Sequence, residues 1–328
     1  MKKTGLLGEY SPEHSLLHTG VEVNLKYLIR KKFKNWLIYI LVVSLFHFIR
    51  ALPRAVAMQL MQFLSEICFY LLAKERRLTI KNLSWVFGHE KSPDEIRQMA
   101  KKVFKTLGRN GAEIFQLNKI LRPDPYRYIT VKGLEHLERA LAKGKGAIIV
   151  TGHIGCWELL GGFFPMIGYD FAAVGTRLYD LRLDAILVKN RASVGMKVIE
   201  RSTGARQIYK YLQAGGLVGI LIDQDTRVDS VFVDFMGKPT YTPVGPVTFA
   251  LRLGTPIVPA AIHLQPDNRH EIEVYEEIEI EKTGDPEQDR IINTQKCSKA
   301  IEKMIFKDPI QWVWLHDRWK TQPEHVVS

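Results

Sequence analysis

The sequence predicts an α/β protein: one catalytic domain with a mixed, largely parallel central sheet flanked by helices, preceded by membrane-associated helices at the N-terminus. Three observations carry this expectation. Beyond residue 125, short apolar runs alternate with amphipathic stretches, the pattern of parallel strands joined by helical crossovers. The apolar residues of the first quarter gather in two runs, residues 36–49 and 55–73. Polar groups flanked by glycine, or set beside aspartate, fall directly after two apolar runs, where open α/β sheets collect their functional side chains.

The elements follow in order. A polar opening leads to "NLKYLIRKKFKNWLIYILVVSLFHFIRALPR", in which Lys26, Arg30, Lys31, Lys32 and Lys34 precede an apolar run from Trp36 that His47 and Arg50 interrupt. Stretched to Ile49 the run is shorter than the ~20 residues a spanning helix uses, and the basic cluster favours the cytoplasmic side of a membrane. The second run, "AVAMQLMQFLSEICFYLLA", carries Gln59, Gln62 and Glu66 and reads as amphipathic. An ordinary buried helical pair is the competing reading. "AVA" at Ala55–Ala57 has the small-x-small look of a cleavage site, but Arg50, Arg54 and the long polar leader argue against a signal peptide. These features divide the chain into a membrane-anchoring region, residues 1–75, and a catalytic domain, residues 76–328. From Arg76 to Leu121 the pattern is helical. "SPDEIRQMAKKVF" has a Ser-Pro-Asp-Glu start, and Ile96, Met99, Val103, Phe104 and Leu107 recur at helical spacing. The alternation then runs through "YITVKG", "LEHLERALAKG", "GAIIVTG", "WELLGGFFPM", "FAAVGT", "LRLDAILVKNRA", "MKVIE", "ARQIYKYLQAGG" and "LVGILID". "PVGPVTFALRLG" reads as a helix, "PIVPAAIHL" and "HEIEVYEEIEI" as strands, and "DRIINTQKCSKAIEKMIF" as a closing amphipathic helix.

Composition narrows the function classes. Lys and Arg outnumber Asp and Glu by 46 to 35, a net charge of +11 that favours anionic partners. No zinc-finger spacing, basic-aromatic tract or RNP-like motif accompanies it, so nucleic acid is not expected as a partner. Cys68, Cys156 and Cys297 are odd in number and far apart, which fits buried thiols better than disulfides or a zinc site. The absence of a Walker A loop, of G-x-G-x-x-G and of G-x-S-x-G disfavours nucleotide-driven chemistry, dinucleotide redox and the serine-hydrolase elbow.

Two strand ends carry the chemistry. In "GAIIVTGHIGCWELLGG", His153 lies two residues beyond an apolar strand and Glu158 five positions later. Within one helix the two would stand about 140° apart. They can meet only if His153 sits in the turn before the helix and Glu158 in its first turn, which Gly152 and Gly155 permit. A carboxylate on one ring nitrogen would fix the tautomer and raise the basicity of the other, and N–H groups at the helix start could stabilise an oxyanion. A strand-capping histidine with an exposed glutamate is the plainer alternative, and a Cys156 nucleophile a remote one. In "GILIDQDTRVDS", Asp223, Gln224 and Asp225 end a second strand. Asp223-x-Asp225 could hold a divalent metal for a glycosyltransferase or form a polar turn.

Taken together, "HIGCWE", "RASVGMKVIER", "LVGILIDQDT", "VFVDFMGKPTYTPVGPVTFALRLGTPIVPAAI" and "QWVWLHDRWKTQP" resemble the late acyltransferases of lipid A biosynthesis, within the wider group of H-x4-D/E glycerolipid-type acyltransferases. The resemblance runs from about Leu71 to Pro323. It implies transfer of a fatty acyl group from acyl carrier protein to a hydroxyl of a lipid A precursor, at the cytoplasmic face of the inner membrane, without metal or other cofactor. It implies catalysis by His153 as general base with Glu158 orienting it, and substrate contacts from Arg177, Arg191, Asp223 and Gln224. "GTPIVP" resembles the apolar turn closing the family's site, and Trp312, Trp314, His316, Arg318 and Trp319 its C-terminal signature, read from composition as packed aromatics or an interfacial belt. Ile154-Gly155-Cys156 departs from the aromatic or threonine residues usual after the motif histidine, which bears on acceptor and acyl length. Another glycolipid or a lysophospholipid acceptor, a metal-dependent glycosyltransferase and a non-catalytic membrane-binding protein are the alternatives.

Overall fold

The computed structural model describes residues 25–323; the polar opening and the last five residues of the expected catalytic domain lie outside them. The chain divides into two compact units between Ser44 and Leu45, inside the first helix α1 (Leu25–Ala51). Its stretch Arg30–Ala51 is long and apolar enough to cross a membrane by length and composition.

Within the larger unit, α2 (Arg54–Leu71) and α3 (Ala73–Phe87) are bent by 91° at Leu72. Helix α4 (Pro93–Phe115) begins as its sequence dictates. Ser92 Oγ accepts from the Glu95 N–H, Glu95 Oε2 accepts from the Ser92 N–H at 2.8 Å, and Pro93 occupies the first turn, where it has no N–H to waste. Ala57 and Met58 of α2 are buried with Ile49, Ala112 and Leu264, and the Phe69 and Phe104 rings meet edge to face at 5.3 Å.

The body is a seven-stranded sheet in the order β1-β9-β8-β2-β5-β3-β4. Strands β1 (Ile129–Lys132), β2 (Ala147–Thr151), β3 (Phe171–Gly175), β4 (Lys197–Glu200), β5 (Leu217–Leu221), β8 (Ile257–Leu264) and β9 (His270–Val274) pair in parallel throughout except for β8 with β9. This is the mixed, largely parallel sheet that the alternating pattern predicts. A separate hairpin joins β6 (Ser230–Phe235) to β7 (Lys238–Pro243) through Met236 and Gly237, both at positive φ, the requirement of a tight two-residue turn between right-twisted strands.

Both faces of β2 are buried, so it reads as an unbroken apolar run. Ile148 and Val150 face a core shared with Ala261 of β8 and with Cys297, Ile301, Met304 and Ile305 of α11 (Pro286–Lys307). Ile149 faces the other way, towards α6 (Leu134–Leu141) and α7 (Trp157–Met166), with Leu137, Leu160 and Phe164; the short α5 (Leu117–Leu121) joins that core, and α9 (Ala205–Gln213) and α10 (Gly245–Leu253) pack in the first. The aromatic cluster near the C-terminus belongs to the first of these cores. Trp312, Trp314 and Trp319 are buried, as packed aromatics.

Candidate active site

Strands β2 and β5 lie side by side in parallel, with Thr151 opposite Leu221. Continuing that register two residues past both strand ends sets residue 153 opposite residue 223, so the fold brings together two polar positions 70 residues apart. Asp223 is 1% exposed and accepts three N–H groups: the backbone N–H of His153 at 2.6 Å, His153 Nδ1 at 2.8 Å and Trp312 Nε1 at 2.7 Å. Burial alone would raise its pKa. The adjoining imidazole and these three donors outweigh burial and hold the carboxyl at about 2.

The turn carrying His153 is pinned from several directions. Gly155 has φ +53°, and a Cβ there would fall 2.0 Å from the Ile262 carbonyl oxygen, so only glycine fits. Its carbonyl accepts from Asn110 Nδ2 at 2.7 Å, and its N–H donates to the Gln311 carbonyl at 2.8 Å. The His153 carbonyl accepts from the Val313 N–H, and Ile154 forms a β-bridge with Trp312. The imidazole packs edge-on against Trp157 at 4.9 Å. Nδ1 is thus engaged by Asp223, and among the described residues Nε2 has no protein partner.

His153 stands on the wall of a cavity of about 410 Å³ between the sheet and helices α7 and α8 (Leu181–Ala192). Ile149, Leu160, Phe164, Phe171, Met196 and Ile220 give it an apolar interior. Gly219 keeps that interior open, since a Cβ there would lie 2.6 Å from the Phe171 ring. Glu158, Arg191, Gln224, Arg201 and Thr226 supply the polar part of the lining.

The structure therefore gathers His153, Glu158, Arg191 and Gln224 around one cavity, with Asp223 behind the histidine. Three expected roles are corrected. His153 precedes α7 and Glu158 lies in its first turn, as meeting requires, yet both Glu158 oxygens bond Arg191, at 2.8 Å to Nε and 2.5 Å to Nη2. A planar guanidinium satisfies a carboxylate at two points and brings a full charge, which a single imidazole N–H does not match. The carboxylate that orients His153 is Asp223, which was expected to contact substrate but is buried with both oxygens taken by protein N–H donors. Arg177, expected at the substrate, forms an ion pair with Glu200 at 2.9 Å and is two-thirds exposed; Gly175, Thr176 and Leu178 line the cavity there. The metal reading of Asp223-x-Asp225 also loses ground, because the oxygens serve N–H donors: Asp223 those of His153 and Trp312, Asp225 the Thr321 N–H at 3.0 Å. Cys156 is fully buried and its thiol is pushed well above its ordinary pKa by burial, which suits packing rather than nucleophilic attack. The sequence signals no place at the site for Asn110 or Arg201. Trp312 stands in the C-terminal signature, but nothing in its spacing signals a bond to a residue 89 positions away.

A histidine held by a buried aspartate at the C-terminal edge of a parallel sheet, beside an apolar cavity, is suited to taking a proton from a substrate that has an apolar part. Comparison with known proteins gives the family: the model of the bacterial lipid A biosynthesis acyltransferases matches residues 26–321, and the chain belongs to that family. A phosphatidylinositol mannoside acyltransferase of Mycobacterium tuberculosis is 28% identical over 248 residues, 73% of this chain and 75% of its own. The lipid A biosynthesis lauroyltransferase of Escherichia coli is 27% identical over 284 residues, 84% of this chain and 89% of its own. The solved 1-acyl-sn-glycerophosphate acyltransferase of Thermotoga maritima overlays with a TM-score of 0.36 at 16% identity, over 74% of this chain and 97% of that one.

Proposed function

We propose that this acyltransferase moves a fatty acyl group from an acyl carrier protein thioester to a hydroxyl of a lipid A precursor or related glycolipid, with His153 as general base. The observation that carries this reading is the state of the imidazole: Nδ1 clamped by buried Asp223, Nε2 free on the wall of an apolar cavity. With the proton fixed on Nδ1, Nε2 accepts the hydroxyl proton as the oxygen attacks the thioester carbonyl. The resulting imidazolium is stabilised by the ionised aspartate. Collapse of the tetrahedral intermediate breaks the C–S bond, and the departing thiolate takes the proton from Nε2. The N–H groups of the first turn of α7, which begins four residues after His153, are suited to the oxyanion. The chemistry calls for no metal. The apolar interior receives the acyl chain, while Gln224 and Arg191 contact the polar end of the substrate and Glu158 positions Arg191.

The setting follows from the same features. A net charge of +11 attracts both an acidic carrier protein and an anionic lipid surface. The apolar stretch of α1 serves as the anchor in a membrane-associated region spanning residues 1–75, placing the catalytic domain at the cytoplasmic face of the inner membrane. The two curated relatives act, by name, on different lipids, so the acceptor is the finer question.

The test offers the purified full chain an acyl carrier thioester with tetra-acyl lipid A precursor, mannosylated phosphatidylinositol or a lysophospholipid, and reads products by mass spectrometry. One acyl addition to a glycolipid is expected. Transfer to the lysophospholipid alone would redirect the acceptor assignment, and transfer to none of them would overturn the reading.

A further inference from the structure

Away from the catalytic cavity, a second hollow of about 310 Å³ opens beside α2 and α4, and Arg54, Gln59, Gln62, Arg109, Tyr128 and Asn268 are among its walls. Its charges do not cancel. The one carboxylate in the cluster, Glu113, is fully buried, is bonded by Arg54 and has its other oxygen 2.7 Å from His270 Nε2. Burial would raise this carboxyl's pKa, but His270 and Arg54 prevail and lower it, so the negative charge is spent inside the cluster. Arg109 donates to the neutral Asn268 side-chain oxygen, and among the described residues it has no ion pair. Arg54 donates to the Asn268 carbonyl at 2.6 Å, so both guanidiniums converge on that turn residue, which holds a left-handed φ of +62°. Among the described residues the side-chain amides of Gln59 and Gln62 have no protein hydrogen-bond partner. A partly buried guanidinium without a carboxylate, beside two unused amides, is an arrangement that receives an anion.

The surface next to the hollow says which anion. Val56, Phe63, Ile67 and Tyr70 of α2 are exposed, and their spacing puts them on one stripe of the helix. Gln59 lies on the border of that stripe, between Val56 and Phe63. An exposed apolar stripe flanked by a cationic hollow matches a lipid whose charge and chains are joined. We propose that Arg54, Arg109, Gln59 and Gln62 form a binding site for the phosphate of a membrane glycerophospholipid, whose chains lie along the exposed stripe of α2. This does not depend on the reaction assigned to His153.

The test uses the full chain in neutral detergent micelles, with bound lipid counted by native mass spectrometry as phosphatidylglycerol is added. Saturable binding is expected, weakened about tenfold or more by Arg109→Gln, the worth of a charge-assisted contact. Arg206→Gln, at an exposed arginine elsewhere, removes the same charge and should weaken it no more than about fivefold, the general attraction of one arginine. Diacylglycerol, with the same chains and no phosphate, should not compete, and inorganic phosphate should compete only at far higher concentration. Equal losses in the two variants, competition by diacylglycerol, or inorganic phosphate binding as tightly as the lipid would each overturn the proposal. Arg109 leaves the Arg54–Glu113 pair intact, and an unchanged melting temperature for Arg109→Gln confirms that binding rather than folding is being read.

Discussion

Replacing Asp223 by asparagine changes one atom and reverses the logic of the base. Oδ2 accepts both the His153 backbone N–H and Trp312 Nε1, while Oδ1 faces His153 Nδ1. Asparagine has one oxygen and one NH2 group. With the oxygen kept where two donors converge, the NH2 group faces Nδ1, which must then become an acceptor. The ring proton moves to Nε2, and the nitrogen that should take the substrate proton already holds one. Loss of the correct tautomer at a comparable aspartate–histidine pair costs about 10⁴-fold, so kcat for acyl transfer by Asp223→Asn should fall by about 10³- to 10⁴-fold. Stability should fall by only about 1.5–3 kcal/mol, the worth of one charged hydrogen bond, as read by urea unfolding. Product formation from a fixed acyl carrier thioester, quantified by mass spectrometry, gives the rate. A rate within tenfold of wild type, alongside collapse in Glu158→Gln, would refute the reasoning and return the orienting role to Glu158.

Further outcomes follow from the same geometry. Arg191→Ala leaves Glu158 charged and unpaired at 5% exposure, so urea unfolding should give a loss of about 3–5 kcal/mol, partly recovered in the Arg191→Ala/Glu158→Ala double variant. Gly219→Val drives a side chain into the Phe171 ring and through it into the cavity. The acyl profile of the product, read by mass spectrometry, should shift to shorter chains at a stability cost of about 1–3 kcal/mol. Asp223 is lowered from 3.8 to about 2. Its contribution, roughly 2 kcal/mol, is therefore fully present above its unfolded pKa near 4 and lost as pH falls towards 2. The stability difference between wild type and Asp223→Asn, measured by urea unfolding at a series of pH values, should be constant above about pH 5 and shrink below pH 4.

The sheet was legible because its strands are buried on both faces and separated by helices whose caps and periodicity stand in the chain, as Ser92, Pro93 and Glu95 illustrate. The β6–β7 hairpin was less so. Its turn is Met236-Gly237, without the Asn-Gly or Asp-Gly pair that announces such turns. The site divides the same way. His153 and Asp223 could both be found as polar groups at strand ends, but their partnership is a property of strand order, and only the pairing of β2 with β5 carries residue 153 to residue 223. Local spacing suggested Glu158 because it sees neighbours in sequence alone. Arg191, 33 positions further on, takes that carboxylate through α8. Arg177 was drawn from a resemblance of pattern, and a loop position fixes no side-chain direction. Trp312 joins the site from the far end of the chain, where composition announces burial but not a bond to Asp223.

The central claim is that His153 Nε2 removes the proton of the attacking hydroxyl. Single-turnover transfer of a labelled acyl group from carrier thioester to the accepted glycolipid, in wild type and His153→Ala, tests it most directly. A positioned general base contributes about 10²- to 10⁴-fold, so the variant should lose at least about 10²-fold in the transfer step while still binding the acyl carrier. Transfer by His153→Ala at the wild-type rate would contradict the account.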